Sequence, residues 1–126
     1  MDLGLNGKTA LVMGGSQGVG LAIAERLAAE GANLVLVSRR LEKLQEVAAK
    51  IEADHGVIVR CDAVDLTDTD ALAGFCDRIR SDYKPDMLLN NAGGPPPSPA
   101  IGVAQDVWKT SAQGLLFSLI QVTEAA

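Results

Sequence analysis

The chain has 126 residues, 48% of them apolar, and a formal net charge of −5. That is enough apolar chain for one domain with a real core, which excludes a disordered tail. The acidic balance excludes a nucleic-acid footprint, and no apolar run approaches membrane-spanning length, so neither nucleic acid nor membrane is an expected partner.

Thr9–Met13 is apolar or β-branched and predicts a short buried strand. Gly14, Ser16, Gln17, Gly18, Val19 and Gly20 follow, with glycines at a G-x-x-x-G-x-G spacing. An apolar-periodic helix over 19–30 then begins at Val19 and ends at Gly31, a suitable left-handed cap. A strand, a glycine turn and a helix in that order make a phosphate cradle. Glycine lets the backbone approach a pyrophosphate, and the helix amino-terminus offers it unpaired N–H groups. The strict G-x-G-x-x-G pattern does not occur.

Asn33–Val37 predicts a second, doubly covered strand. A helix over 41–54 should bury Leu44, Val47, Ala48 and Ile51 and pair Glu46 with Lys50 outside. His55, before Gly56, reads as a cation at that helix's carboxyl end. Val57–Cys61 predicts the third strand. A third helix from about Asp68, capped by Thr67 with Asp70 three residues on, carries the stripe Leu72, Phe75, Cys76 and Ile79. Met87–Asn90 predicts the fourth strand. Alternating strands and helices imply a parallel sheet covered on both faces. Cys61 and Cys76 show no metal-ligand spacing and read as free thiols suited to a reducing cytoplasm; no metal is expected.

Residues 93–102 hold all but one of the five prolines and cannot join a ladder. They read either as a rigid spacer or as a loop over a substrate pocket. A last helix over 103–126 carries Val107, Trp108, Leu115, Leu116, Leu119, Ile120 and Val122 around more than one face, so it should be covered on two sides.

The glycine turn, together with Asp86–Gly93 ending in Asn90-Asn91-Ala92-Gly93, resembles the short-chain dehydrogenase/reductase family along the whole chain. Gly93-Gly94-Pro95-Pro96-Pro97 is similar to the 3-oxoacyl-carrier-protein reductase-like members. One departure is Met13, where the family usually has threonine. The resemblance implies an α/β, Rossmann-type doubly wound parallel sheet, strand order 3-2-1-4, with the chain corresponding to the amino-terminal half of such a reductase. It implies that Asp65 bonds the cofactor's adenine amino group with Leu66 packed nearby, Asp62 being the rival if the register slips. It implies that Asn90, Ala92 and Gly93 line the ribose and nicotinamide side. It favours a homo-oligomer through the last helix.

Such a fold usually places an acidic residue at the end of strand two for the ribose of NAD. Here that place reads Ser38-Arg39-Arg40. Two guanidinium groups suit a 2′-phosphate, so NADP(H) is expected in preference to NAD(H). The family's proton-passing tyrosine with a lysine four residues on is not found: Tyr83, the one tyrosine, is followed at that distance by Met87. Leu115 stands where the family often has an asparagine. The leading expectation is therefore an NADP(H)-dependent oxidoreductase acting on a carbonyl or alcohol, with this chain holding the cofactor and inactive alone. The alternatives are a non-catalytic dinucleotide-binding protein or sensor, and an inactive fragment.

Overall fold

A computed structural model describes residues 1–94, 96–99 and 101–126. Four parallel strands, β1 (Thr9–Met13), β2 (Asn33–Ser38), β3 (Val59–Ala63) and β4 (Met87–Leu89), form one sheet in the order β3-β2-β1-β4. The register sets Leu11 beside Val35 and Leu88, so the most apolar stretches share the sheet centre. Alternate residues point to opposite faces. On one face Ala10, Val12, Leu34 and Leu36 pack with α1 (Gly18–Ala29) and α2 (Leu41–His55). On the other, Leu11, Met13, Val35 and Val37 pack with α3 (Thr69–Arg78) and the end of the chain.

The helices follow their sequence signals with local exceptions. Leu44, Val47, Ala48 and Ile51 are the buried residues of α2, which ends at Gly56 with φ 68°. The Glu46–Lys50 pair does not form. Glu46 lies 3.8 Å from Lys43 and Lys50 lies 3.9 Å from Glu25 on α1, because α1 packs beside that face. Asp68, not Thr67, caps α3, accepting from the amides of Asp70 and Ala71. The reason is competition: the Thr67 hydroxyl is spent on Asp65 at 2.6 Å. Leu72, Phe75, Cys76 and Ile79 are buried as a stripe should be.

Two departures bear on the site. β3 runs two residues later than its apolar run suggests. It continues through Asp62 because that carboxylate is neutralised in place, by a two-pronged bond from Arg78 at 2.8 and 3.0 Å and a bond from the Tyr83 hydroxyl at 2.6 Å. The last helix is not continuous α-helix. It comprises α4 (Gln105–Ala112), a wide π turn over Gln113–Phe117, and α5 (Ser118–Ala125). Gly114 lies in the wide turn, and its carbonyl accepts from the Ser118 hydroxyl at 2.8 Å. Such turns are uncommon and often occur at functional sites. Cys61 and Cys76 are free and lie in the clusters on opposite sides of the sheet. Burial raises the pKa of both thiols.

Candidate dinucleotide site

Every strand runs the same way, so the loops after β1, β2, β3 and β4 meet at one edge of the sheet. There they enclose a cavity of about 620 Å³. In open parallel sheets this edge, where successive crossovers leave to opposite sides, is where ligands bind. Here that point lies between β1 and β4.

The floor is the glycine turn. Gly14 and Gly18 both take positive φ, 66° and 62°, a conformation costly for other residues. Gly14, Ser16, Gln17 and Gly18 line the cavity. Nothing lies within 4 Å of where a Gly18 Cβ would stand. Gly20 matters for packing instead. A Cβ there would collide with the Gly14 carbonyl oxygen, so the glycine permits close approach of helix to turn. Gly20 and Val19 do not line the cavity, and Val19 is exposed. Gln17 precedes α1 in an extended conformation, no side chain caps the helix, and its first turn has no acidic residue. The first amides of α1 therefore lack side-chain partners at a positive dipole end, beside a cavity that glycine keeps open. That environment fits a pyrophosphate.

Ser38, the last residue of β2, and Arg39 and Arg40 after it form the next wall. Neither guanidinium makes an ion pair among the described residues. The Ser38 hydroxyl accepts from the Arg40 amide at 3.4 Å, which folds the segment back on itself. Asp65 and Leu66 line the next wall with Thr67. Hydrogen bonds from the Thr67 hydroxyl and amide hold the Asp65 carboxyl below its ordinary pKa. Asp62 is engaged with Arg78 and Tyr83 and is absent from the lining, so of the two aspartates only Asp65 faces the cavity.

Ala92 and Gly93 complete the side after β4, together with Asn91. Asn90 is turned elsewhere: its amide donates to the Thr123 hydroxyl at 2.9 Å and ties the end of β4 to α5. The far wall is the last helix, through Thr110, Ser111, Gly114 and Leu115. Sequence reasoning missed Thr110, Ser111 and Gly114. Their signal was there: Thr110 and Gly114, and Ser111 and Leu115, are each four apart, one helical face. Pro96, in the proline-rich segment, also lines the cavity; Pro95 and Ala100 of that segment lie outside the described residues. Tyr83 is outside the lining, and burial together with its bond to Asp62 pushes its pKa to about 12.

The chain resembles proteins with known activities. It is 45% identical over 92 residues to a fatty acyl-CoA reductase of Acinetobacter baylyi, covering 71% of this chain and 30% of that one. The crystal structure of L-sorbose reductase from Gluconobacter frateurii, complexed with NADPH and L-sorbose, superimposes with a TM-score of 0.90 at 33% identity, covering 99% of this chain and 48% of that one. A short-chain dehydrogenase from Sphingobium yanoikuyae in complex with NADPH gives 0.87 at 31% identity, covering 94% and 46%. The chain thus spans about half the length of these solved structures and less than a third of the reductase. Residues 8–126 match the family model for short chain dehydrogenases, and with the parallel sheet and glycine turn this places the chain in the short-chain dehydrogenase/reductase family.

Proposed function

We propose that this chain is the cofactor-holding part of an NADP(H)-dependent oxidoreductase acting on a small carbonyl or alcohol substrate, similar in kind to 3-oxoacyl-carrier-protein reductases. The observation that carries this is the cavity itself: it runs from Ser38, Arg39 and Arg40, with no carboxylate at the end of β2, across the glycine turn to Ala92 and Gly93. When bound, the cofactor supplies a hydride to a carbonyl or takes one from an alcohol. Arg39 and Arg40 hold the 2′-phosphate, and Gly14, Ser16, Gln17 and Gly18 with the open end of α1 hold the pyrophosphate. Asp65 and Leu66 hold the adenine, and Ala92, Gly93 and Asn91 flank the ribose and nicotinamide. Relatives named as reductases and neighbours solved with NADPH support this reading. The free thiols suit a reducing cytoplasm.

Residues 1–126 bind the cofactor in this reading but do not reduce a carbonyl by themselves. Tyr83 has Met87 four residues on, lies outside the cavity, and keeps its proton to about pH 12. Leu115 favours a second reading, a dinucleotide-binding protein without catalysis, because an apolar side chain on the far wall relays no proton. Ketone-dependent oxidation of NADPH by the longest form of the protein that its gene encodes separates the two.

The test of the binding reading is calorimetric titration with NADPH and NADH, repeated after Arg39→Ala and Arg40→Ala together. NADPH should bind tighter than NADH. The double variant should lose about 10- to 100-fold in NADPH affinity, the worth of one or two charge-assisted bonds, while NADH affinity hardly moves. Equal weakening of both cofactors would refute phosphate reading by the arginines.

A further inference from the structure

The turn between β3 and α3 holds one side chain in an unusually determined way. Both hydrogen bonds to the Asp65 carboxylate fall on the same oxygen: the Thr67 hydroxyl donates to Oδ1 at 2.6 Å and the Thr67 amide donates to Oδ1 at 2.9 Å. Oδ2 accepts no bond among the described residues. Asp65 and Thr67 both line the cavity.

Thr67 is itself fixed from the other side. A Cβ on Gly114 would stand 3.2 Å from the Thr67 methyl, so the bare glycine of the π turn makes room for it. The Gln113 amide reaches the Leu66 carbonyl at 3.5 Å beside it. A β-branched side chain has few χ1 choices, and a methyl against the last helix with a hydroxyl on Asp65 leaves one. A carboxylate held by two donors on one oxygen can present the other to a ligand without first losing rotamer freedom.

We propose that Thr67 is a positioning residue that aims Oδ2 of Asp65 at the exocyclic amino group of the cofactor's purine, so that the site selects a base with an amine over one with an oxygen there. This rests on the NADP(H) reading above. A base bearing an oxygen at that place presents an acceptor to an acceptor, and the bond becomes a repulsion.

The probes are NADPH and its hypoxanthine analogue, in which that amine is replaced by oxygen, titrated into the longest encoded form of the protein. The unsubstituted protein should bind NADPH about 10-fold tighter than the analogue, the scale of one hydrogen bond to a charged group. Thr67→Ser keeps the hydroxyl but loses the methyl contact, so it should keep most of the ratio and fall far less than a variant without the hydroxyl. Thr67→Val keeps the shape without the hydroxyl and should bring the ratio to about 3-fold or less, chiefly by weakening NADPH. Gly114→Ala, which presses on the Thr67 methyl, should lower it in the same direction. Thermal melts confirm that each variant is folded. A ratio unchanged in Thr67→Val, with both nucleotides weakened alike, would show a merely structural threonine and overturn the proposal. An unsubstituted protein that binds both equally would overturn it and leave the NADP(H) reading standing, whereas failure to bind NADPH at all would overturn that reading and the proposal together.

Discussion

Asn91 sits so close over Gly14 that a Cβ on that glycine would stand 2.7 Å from the Asn91 carbonyl oxygen and 2.8 Å from its side-chain nitrogen. The loop after β4 therefore rests directly on the loop after β1. Gly20 completes the stack, because a Cβ there would meet both the Gly14 carbonyl and the Asn91 side chain. Two of the three glycines in the motif serve contacts within the protein. Gly18 alone opens onto free space at the cavity.

That division predicts two different failures. Gly20→Ala forces backbone against backbone and should cost about 1–3 kcal/mol of stability with no cofactor present, the usual scale for overpacking. Gly18→Val should cost about 1–2 kcal/mol for a left-handed residue but leave the packing intact. Its larger effect should be on NADPH affinity, since its side chain enters the space beside the α1 amino end. Urea unfolding and calorimetry on both variants check this. A Gly20→Ala protein as stable as the original, or a folded Gly18→Val protein that binds NADPH normally, would refute the respective assignment.

Tyr83 should make the fold sensitive to alkali. In the unfolded chain a tyrosine ionises near pH 10. In the fold, burial first and then the bond to Asp62 raise that to about 12. Below about pH 10 both states keep the proton and the bond contributes fully. Between about pH 10 and 12 the unfolded chain loses its proton first, so stability should fall through that window. Tyr83→Phe removes the titrating group while Arg78 still neutralises Asp62 at 2.8 Å, so the variant should lose about 1 kcal/mol at neutral pH and show a flatter alkaline limb. Urea midpoints of the two proteins across this range are the measurement. Parallel limbs would mean that the hydroxyl is not the group responsible.

These same residues mark where sequence alone stops. Apolar runs located β1 and β2, and i, i+3, i+4 spacing located the buried faces of α2 and α3. Those signals are local. The end of β3 is not local: Asp62 stays in the strand because Arg78 and Tyr83, far along the chain, neutralise it. That contact also decides which aspartate is left for the cavity. The cap of α3 went to Asp68 because Thr67 was engaged with Asp65 two residues before it, a competition between two plausible side chains. The π turn over Gln113–Phe117 escapes a fixed helical period, since it adds a residue to one turn and shifts the faces on either side. Asn90 and Asn91, just past the end of β4, are indistinguishable by type, yet one turns to Thr123 and the other to the cavity.

The last helix should carry a contact between copies of this chain. Trp108, Leu116, Phe117 and Ile120 are 63%, 53%, 50% and 46% exposed, although α5 buries Val122 and Ala125 against the sheet. Large apolar side chains left uncovered along one element form a patch of the kind that marks an interaction surface. Each is already about half covered, so burying the rest would contribute roughly half of the ~1.5–3 kcal/mol of full burial, and in a symmetric pair each residue counts twice. That total is comparable to the roughly 4–15 kcal/mol that association costs in lost freedom. The folded protein should therefore sediment as a dimer or larger. Leu116→Asp with Ile120→Asp, both at exposed positions, should shift it toward monomer while its melt stays cooperative. A folded, unsubstituted protein that light scattering finds monomeric at tens of micromolar would end the case for this interface.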